Sequence, residues 1–125
     1  MKNQTEFSPT LGQISPEEPR ITALIPSYNR AHLLQRAIDS DLNQTRPPYE
    51  VIIVDDGSTD NTREVMAAFG DQIRYIHQDN AGSAVARHHG ISVARTEWIA
   101  LLDSDDTWNP DHLERVAAAI VATDG

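Results

Sequence analysis

An α/β fold, a mainly parallel and doubly wound sheet with helices on both faces, is predicted by three features of this sequence. Four short apolar runs recur along it, stretches of helical period separate them, and polar clusters follow directly on three of the runs. Strands alternating with helices build βαβ units and therefore a parallel sheet. In such sheets ligands bind beyond the carboxyl ends of the strands, where these polar clusters fall.

The strands are read at residues 21–25 (ITALI), 51–54 (VIIV), 73–76 (IRYI) and 98–102 (WIALL). The first, second and fourth are almost unbroken in apolar character, the pattern of strands covered on both faces. The third alternates and is expected nearer an edge. A first helix, about 31–43, carries Leu34, Ala37, Ile38 and Leu42 on one face. Asp41 shares that face; a carboxylate near a helix C-terminus opposes the dipole and is costly when dry, so it is expected to reach solvent or an Arg. A second helix, about 60–69, opens on Asp60, buries Val65, Met66 and Phe69, and stops at Gly70. A third, about 83–95, aligns Ala84, Val85, His88 and Ile91, which makes His88 a packed helix residue. A fourth opens on Asn109-Pro110-Asp111, an N-cap with proline at the first helical position, and faces inward with Leu113, Val116, Ala117, Ile120 and Val121. Trp98 is assigned to the core.

Residues 1–20 hold Pro9, Pro16, Pro19 and the pair Glu17-Glu18 without apolar period, and are read as a flexible lead-in to one domain over 21–125. Ten Lys plus Arg against nineteen Asp plus Glu give a formal charge of −9, which argues against sequence-blind binding of nucleic acid. The absence of cysteine excludes disulfides, thiolate zinc sites and cysteine nucleophiles. No apolar run approaches the ~20 residues of a membrane span. The N-terminus lacks a charged-then-apolar layout, so a cytoplasmic location is expected.

The polar clusters are Pro26-Ser27-Tyr28-Asn29-Arg30 after the first strand, Asp55-Asp56-Gly57-Ser58 after the second and Asp103-Ser104-Asp105-Asp106 after the fourth. Asp55, Asp56, Asp103, Asp105 and Asp106 on one rim would repel one another, raising some pKa values or demanding a cation. Asp103-x-Asp105 suits a hard ion such as Mg²⁺ or Mn²⁺, which keeps water or phosphate oxygens in the rest of its shell. Arg30 and Arg87 add positive charge for phosphate. Tyr28 offers a ring face for a base, and Asp56 an acceptor for a base N–H. Any single Asp in such places is often a cap or turn former; three clusters on one rim speak against that for the set.

Taken in order, these motifs resemble the family 2 nucleotide-sugar-dependent glycosyltransferases, which have the GT-A fold. The resemblance runs from Ile21 to about Leu113. It is carried by Pro26-Ser27-Tyr28-Asn29-Arg30, residues 54–62 (VDDGSTDNT), Asn80-Ala81-Gly82 with Ala86-Arg87, and residues 102–108 (LDSDDTW) followed by Pro110-Asp111. It implies a Rossmann-like nucleotide-binding half whose partner is a nucleotide-diphosphate sugar, a UDP-sugar being expected, with an unknown acceptor. By resemblance Pro26 and Tyr28 line the base pocket, Asp56 bonds the base, and Arg87 lies near the nucleotide. Asp103 faces the ribose or sugar, Asp105 binds Mn²⁺ or Mg²⁺ with Asp103 as its companion candidate, and Asp106 lies beside the donor sugar. Arg30, Asp55 and Ser104 complete the expected donor-binding set.

Members of the family invert the anomeric carbon in one displacement, a carboxylate base deprotonating the acceptor hydroxyl while the metal stabilises the departing diphosphate. In the family that base comes from chain after the D-x-D region. The resemblance therefore implies a donor-binding half without the acceptor-binding half, peripheral to the membrane in its full-length context, and transfer by these 125 residues alone is not expected. A non-catalytic nucleotide-sugar-binding or assembly module is the alternative. Apolar surface left where a second half would pack is expected to favour self-association. Two positions depart from the family pattern: His88 stands where Asn is frequent, and Asp41 where an apolar residue is. Trp108 is read either as core or as a cover for a sugar. Residues 103–107 also match the D-x-D-x-T of haloacid-dehalogenase-type phosphatases, but that chemistry needs a downstream lysine and the only lysine is Lys2. A calcium loop counted from Asp103 reaches Glu114 at its twelfth place but puts Trp108 where glycine is needed.

Overall fold

Strand β1, Ile21–Ser27, lies at the centre of a sheet whose order is β3-β2-β1-β4, with β2 at Glu50–Asp55, β3 at Arg74–His77 and β4 at Trp98–Leu101. All three pairings are parallel, Ala23 standing opposite Val51 on one side and Ala100 on the other. This is a computed structural model, and it describes residues 19–124; of the lead-in expected over residues 1–20, residues 1–18 lie outside the described residues, while Pro19 is buried and Arg20 pairs with Glu97. The chain winds from β1 outward through β2 to β3, then crosses to β4 on the far side, so the winding reverses at β1 and opens a crevice there.

Alternation along the strands divides the core between two faces. Ala23, Ile25, Val51, Ile53 and Leu102 pack with Leu34, Ala37 and Ile38 of α1 (Ala31–Leu42) and with Met66 of α2 (Thr62–Ala67). Ile21 on the same face meets Leu113 and Ala117 of α4 (His112–Asp124). Leu24, Ile52 and Val54 on the other face pack against Ala86 of α3 (Ser83–Val93), with Val93 alongside. The doubly wound arrangement is therefore present, and the alternating strand β3 does lie at an edge.

Five local expectations are corrected. The buried residues of α3 are Ala86 and Gly90, while Val85, His88 and Ile91 are exposed, so His88 is not a packed residue. The helix lies so close to the sheet that a Cβ on Gly90 would stand 2.3 Å from Leu24 Cδ1; only small residues fit beneath it. Strand β4 is open rather than doubly covered, with Trp98 and Leu101 exposed, so Trp98 is not core. Helix α2 starts at Thr62, the Asp60 carboxylate accepting the Thr62 N–H from outside the helix, and Gly70–Gln72 form a short 3₁₀ turn. Helix α4 starts at His112 rather than at Pro110, because the side chain of Gln44, not Asn109, caps it: Gln44 Oε1 accepts the Leu113 N–H at 2.8 Å. Asp41, finally, reaches neither solvent nor an Arg. It is wholly buried and neither carboxylate oxygen has a partner, and burial pushes its pKa from 3.8 up to about 8.

Candidate functional site

The carboxyl ends of β1, β2 and β4 meet at a cleft of about 540 Å³. From β1 and the loop after it come Pro26, Ser27, Tyr28 and Arg30; from the β2 end Asp56; from the loop before α3 Asn80 and Gly82, and from the start of α3 Ser83, Ala86 and Arg87; from the β4 end Asp103, Ser104 and Asp105. The first two loops are stitched by Asn29, whose backbone sits in the left-handed region at φ 52°, a conformation asparagine tolerates well. Its Oδ1 accepts the N–H groups of Thr59 at 2.7 Å and Asp60 at 3.2 Å, and its own N–H donates to Ser58 Oγ at 2.9 Å. Asp60 ties the same loops again, accepting the Ala31 N–H at the start of α1 and the Thr62 N–H at the start of α2. Burial raises the Asp60 pKa, but the hydrogen bonds from Thr62 and Ala31 outweigh it and hold the group below its ordinary value.

Asp56 is the hub of the cleft's inner wall. Its Oδ1 accepts from Gln78 Nε2 and the Ala81 N–H, both at 2.8 Å. Its Oδ2 accepts from Asn80 Nδ2 at 3.1 Å and the Gly82 N–H at 2.9 Å. Four donors fill the roughly four acceptor positions of a carboxylate, so a ligand N–H joins Asp56 only by sharing one of them. Burial pushes the Asp56 pKa up, and the bonds from Ala81, Gln78 and Gly82 more than reverse it, leaving the group below its ordinary value. The neighbouring Gly57 has φ 79°, and a Cβ there would stand 2.7 Å from the Asn80 nitrogen; this close approach of two loops requires glycine.

Eight of the ten residues expected at the site line one cleft: Pro26, Tyr28, Arg30, Asp56, Arg87, Asp103, Ser104 and Asp105. Two do not. Asp55 is buried beneath the loop, accepting the Ser58 N–H at 2.9 Å and the Tyr75 hydroxyl, and acts as a turn former. Asp106 is exposed outside the cleft lining and accepts the N–H of Thr107 at 2.9 Å. Five mutually repelling acids are thus not gathered on this rim. Asp55 and Asp56 are compensated by their own chain's donors, and the Arg30 guanidinium lies 2.9 Å from Asp105. Among the lining residues, Ser27, Asn80, Gly82, Ser83 and Ala86 were not singled out from sequence as site residues, although all of them but Ser83 stand in a recognised motif. Trp108 is partly buried against the core and stacks on His112 at 4.6 Å, which is a packing role.

No group of three His, Cys, Asp or Glu side chains is assembled for a metal among the described residues. The donor set nevertheless fits Mg²⁺ or Mn²⁺ completed by substrate: Asp103 and Asp105 supply hard oxygens on one loop, and such ions are commonly held by one or two carboxylates plus phosphate oxygens.

The family model described as glycosyl transferase family 2 matches residues 22–124. The succinoglycan biosynthesis protein ExoO of Rhizobium meliloti is 46% identical over 100 residues, covering 78% of this chain and 29% of its own. Among solved structures, S. aureus TarS 1–349 in complex with UDP-GlcNAc superposes with a TM-score of 0.73 at 27% identity, covering 81% of this chain and 31% of its own. The mannosyltransferase PcManGT of Pyrobaculum calidifontis, in complex with GDP-Man and Mn²⁺, gives a TM-score of 0.67 at 26% identity, covering 83% and 32%. The chain spans 34%, 40% and 16% of the length of the first three curated relatives it matches.

Proposed function

This chain belongs to glycosyl transferase family 2, and from that premise we propose that its cleft binds a nucleotide-diphosphate sugar, UDP-linked, as the donor half of an inverting transferase. The observation that carries the reading is the convergence of Tyr28, Asp56, Arg87, Asp103 and Asp105 on one cleft at the reversal of the sheet's winding. Tyr28, about half exposed, presents its ring to a base at the β1 end. The Asp56 hub holds the loop before α3 and with it the wall against which base and ribose rest. Arg87 and Arg30 supply charge for the diphosphate. Asp105, with Asp103, would hold a Mn²⁺ or Mg²⁺ ion, which when bound supplies charge stabilisation to the departing diphosphate. The general base is assigned to no residue of this cleft. UDP-GlcNAc and GDP-Man in the two structural neighbours support a nucleotide-sugar donor; the choice of UDP rests on the motif resemblance.

Calorimetry tests this. UDP is expected to bind with Mn²⁺ present and to lose at least tenfold in affinity in Asp105→Ala; no binding, or binding indifferent to that change, overturns the donor site. A second reading, a donor-binding module without transfer, is favoured by Asp56, whose four internal donors leave it no free position from which to act as a base. Turnover of a UDP-sugar by the chain in a hydrolysis assay counts against it.

A further inference from the structure

We infer that Arg30 is an internal counter-ion for Asp105 that exchanges partners when the cleft loads: it holds the carboxylate before a cation arrives and turns to the diphosphate afterwards. The inference rests on the donor-site reading above. Arg30 belongs to the loop between β1 and α1, Asp105 to the loop between β4 and α4, both line the cleft, and the pair ties the two loops together, Nη1 to Oδ2 at 2.9 Å.

Both side chains are about half exposed, 45% and 50%, so neither is locked in place. An ion pair in such a setting is weak, worth at most a few-fold in an equilibrium, and is readily traded for a better partner. A doubly charged ion is a better partner for the carboxylate than one guanidinium. The displaced guanidinium, with its planar fork of donors, is suited to phosphate oxygens, and it stands on the rim where they would lie. The other arginine of the cleft, Arg87, comes from α3, which packs on the sheet face opposite that of α1, so the exchange would leave two cations for the diphosphate. Arg30 thereby opposes metal binding by itself and favours metal together with diphosphate, which makes the two ligands cooperative.

The two effects have opposite signs, and this separates exchange from a merely structural role. Uptake of Mn²⁺ alone, followed by the electron paramagnetic resonance of free Mn²⁺, is expected to be about two- to fivefold tighter in Arg30→Gln than in the natural chain. Calorimetric affinity for UDP at saturating Mn²⁺ is expected to be weaker by a similar factor. Arg30→Lys, which keeps the charge, should return both toward the natural values, and thermal unfolding of all three should coincide. If Arg30→Gln leaves Mn²⁺ uptake unchanged, or moves both affinities in the same direction, while Asp105→Asn still abolishes uptake, the exchange is overturned and the donor site stands. If Asp105→Asn leaves uptake unchanged, or the natural chain takes up no Mn²⁺ with or without UDP, the donor-site reading falls and the exchange falls with it.

Discussion

A carboxylate is most costly where nothing solvates it, and Asp41 is in that position: no exposure, no hydrogen bond to either oxygen, and a pKa pushed up to about 8. The folded chain therefore keeps this proton up to about pH 8, whereas an unfolded chain releases it near 3.8. Across that window folding must take a proton up, so stability falls as pH rises and levels off above about 8. Asp56, Asp60 and Glu50 act in the opposite sense. Burial raises each, yet hydrogen bonds from Ala81 and Gln78, from Thr62 and Ala31, and from Arg95 and Arg74 respectively hold each below its ordinary value, so their contributions are lost as pH falls through the acid range. Thermal unfolding is expected to be latest near about pH 5 and to move down on both sides. Asp41→Asn keeps the shape and removes the proton. It should match the natural chain at about pH 4.5 and exceed it at about pH 8 by roughly 2–4 kcal/mol; parallel profiles for the two proteins would sink this account.

At the level of elements, much of the fold was legible because the information is local. Runs of β-branched and aliphatic residues such as Val51, Ile52, Ile53 and Val54 mark a buried parallel strand wherever they fall. Helix faces were legible where large residues do the packing, as with Leu34 and Ile38 of α1. Helix α3 defeats that reasoning because it is pressed against Leu24 through Gly90 and Ala86, and a periodicity of large side chains then marks the outer face. The site was legible as strand-end motifs. Its commitments were not, since Asp56 with Gln78 and Arg30 with Asp105 join residues 22 and 75 positions apart. The start of α4 failed for the same reason. Gln44, nearly buried, accepts the Leu113 N–H through Oε1 and donates through Nε2 to the carbonyls of Asn109 at 2.8 Å and Ser40 at 3.0 Å. One carboxamide thus joins the end of α1 to the start of α4. Gln44→Ala leaves a buried N–H and two carbonyls short of partners and is expected to cost about 2–3 kcal/mol in urea unfolding, with faster amide exchange at Leu113. An unchanged unfolding midpoint would show that water replaces the carboxamide without loss.

For the whole molecule, the sheet ends on one side at β4, which among the described residues pairs only with β1. An unpaired strand edge offers a row of backbone donors and acceptors to any extended segment, and proteins commonly blunt such edges with charge. Strand β4 carries no charged residue; Trp98 is 38% exposed and Leu101 49% exposed. Their registers place them opposite Ile21 and Leu24, which lie on opposite faces of the sheet, so apolar surface is open on both sides of the same edge. Nearby Val121 of α4 is 44% exposed as well. A net charge of −9 opposes the approach of two copies, but its range is about one Debye length, ~8 Å at physiological salt, and contact at an apolar edge outlasts it. We therefore expect the chain to self-associate through β4, more strongly as salt rises, with sedimentation velocity showing a mass that grows over a tenfold span of protein concentration. Leu101→Lys combined with Trp98→Lys places charge on the edge without touching the buried clusters, and should hold the chain monomeric while leaving Mn²⁺-dependent UDP binding in place, because the cleft is built at the strand ends rather than along this edge. A natural chain that sediments as a monomer throughout, at low and high salt alike, would show that the open strand is already protected by its twist or by solvent, and that the apolar edge drives no association.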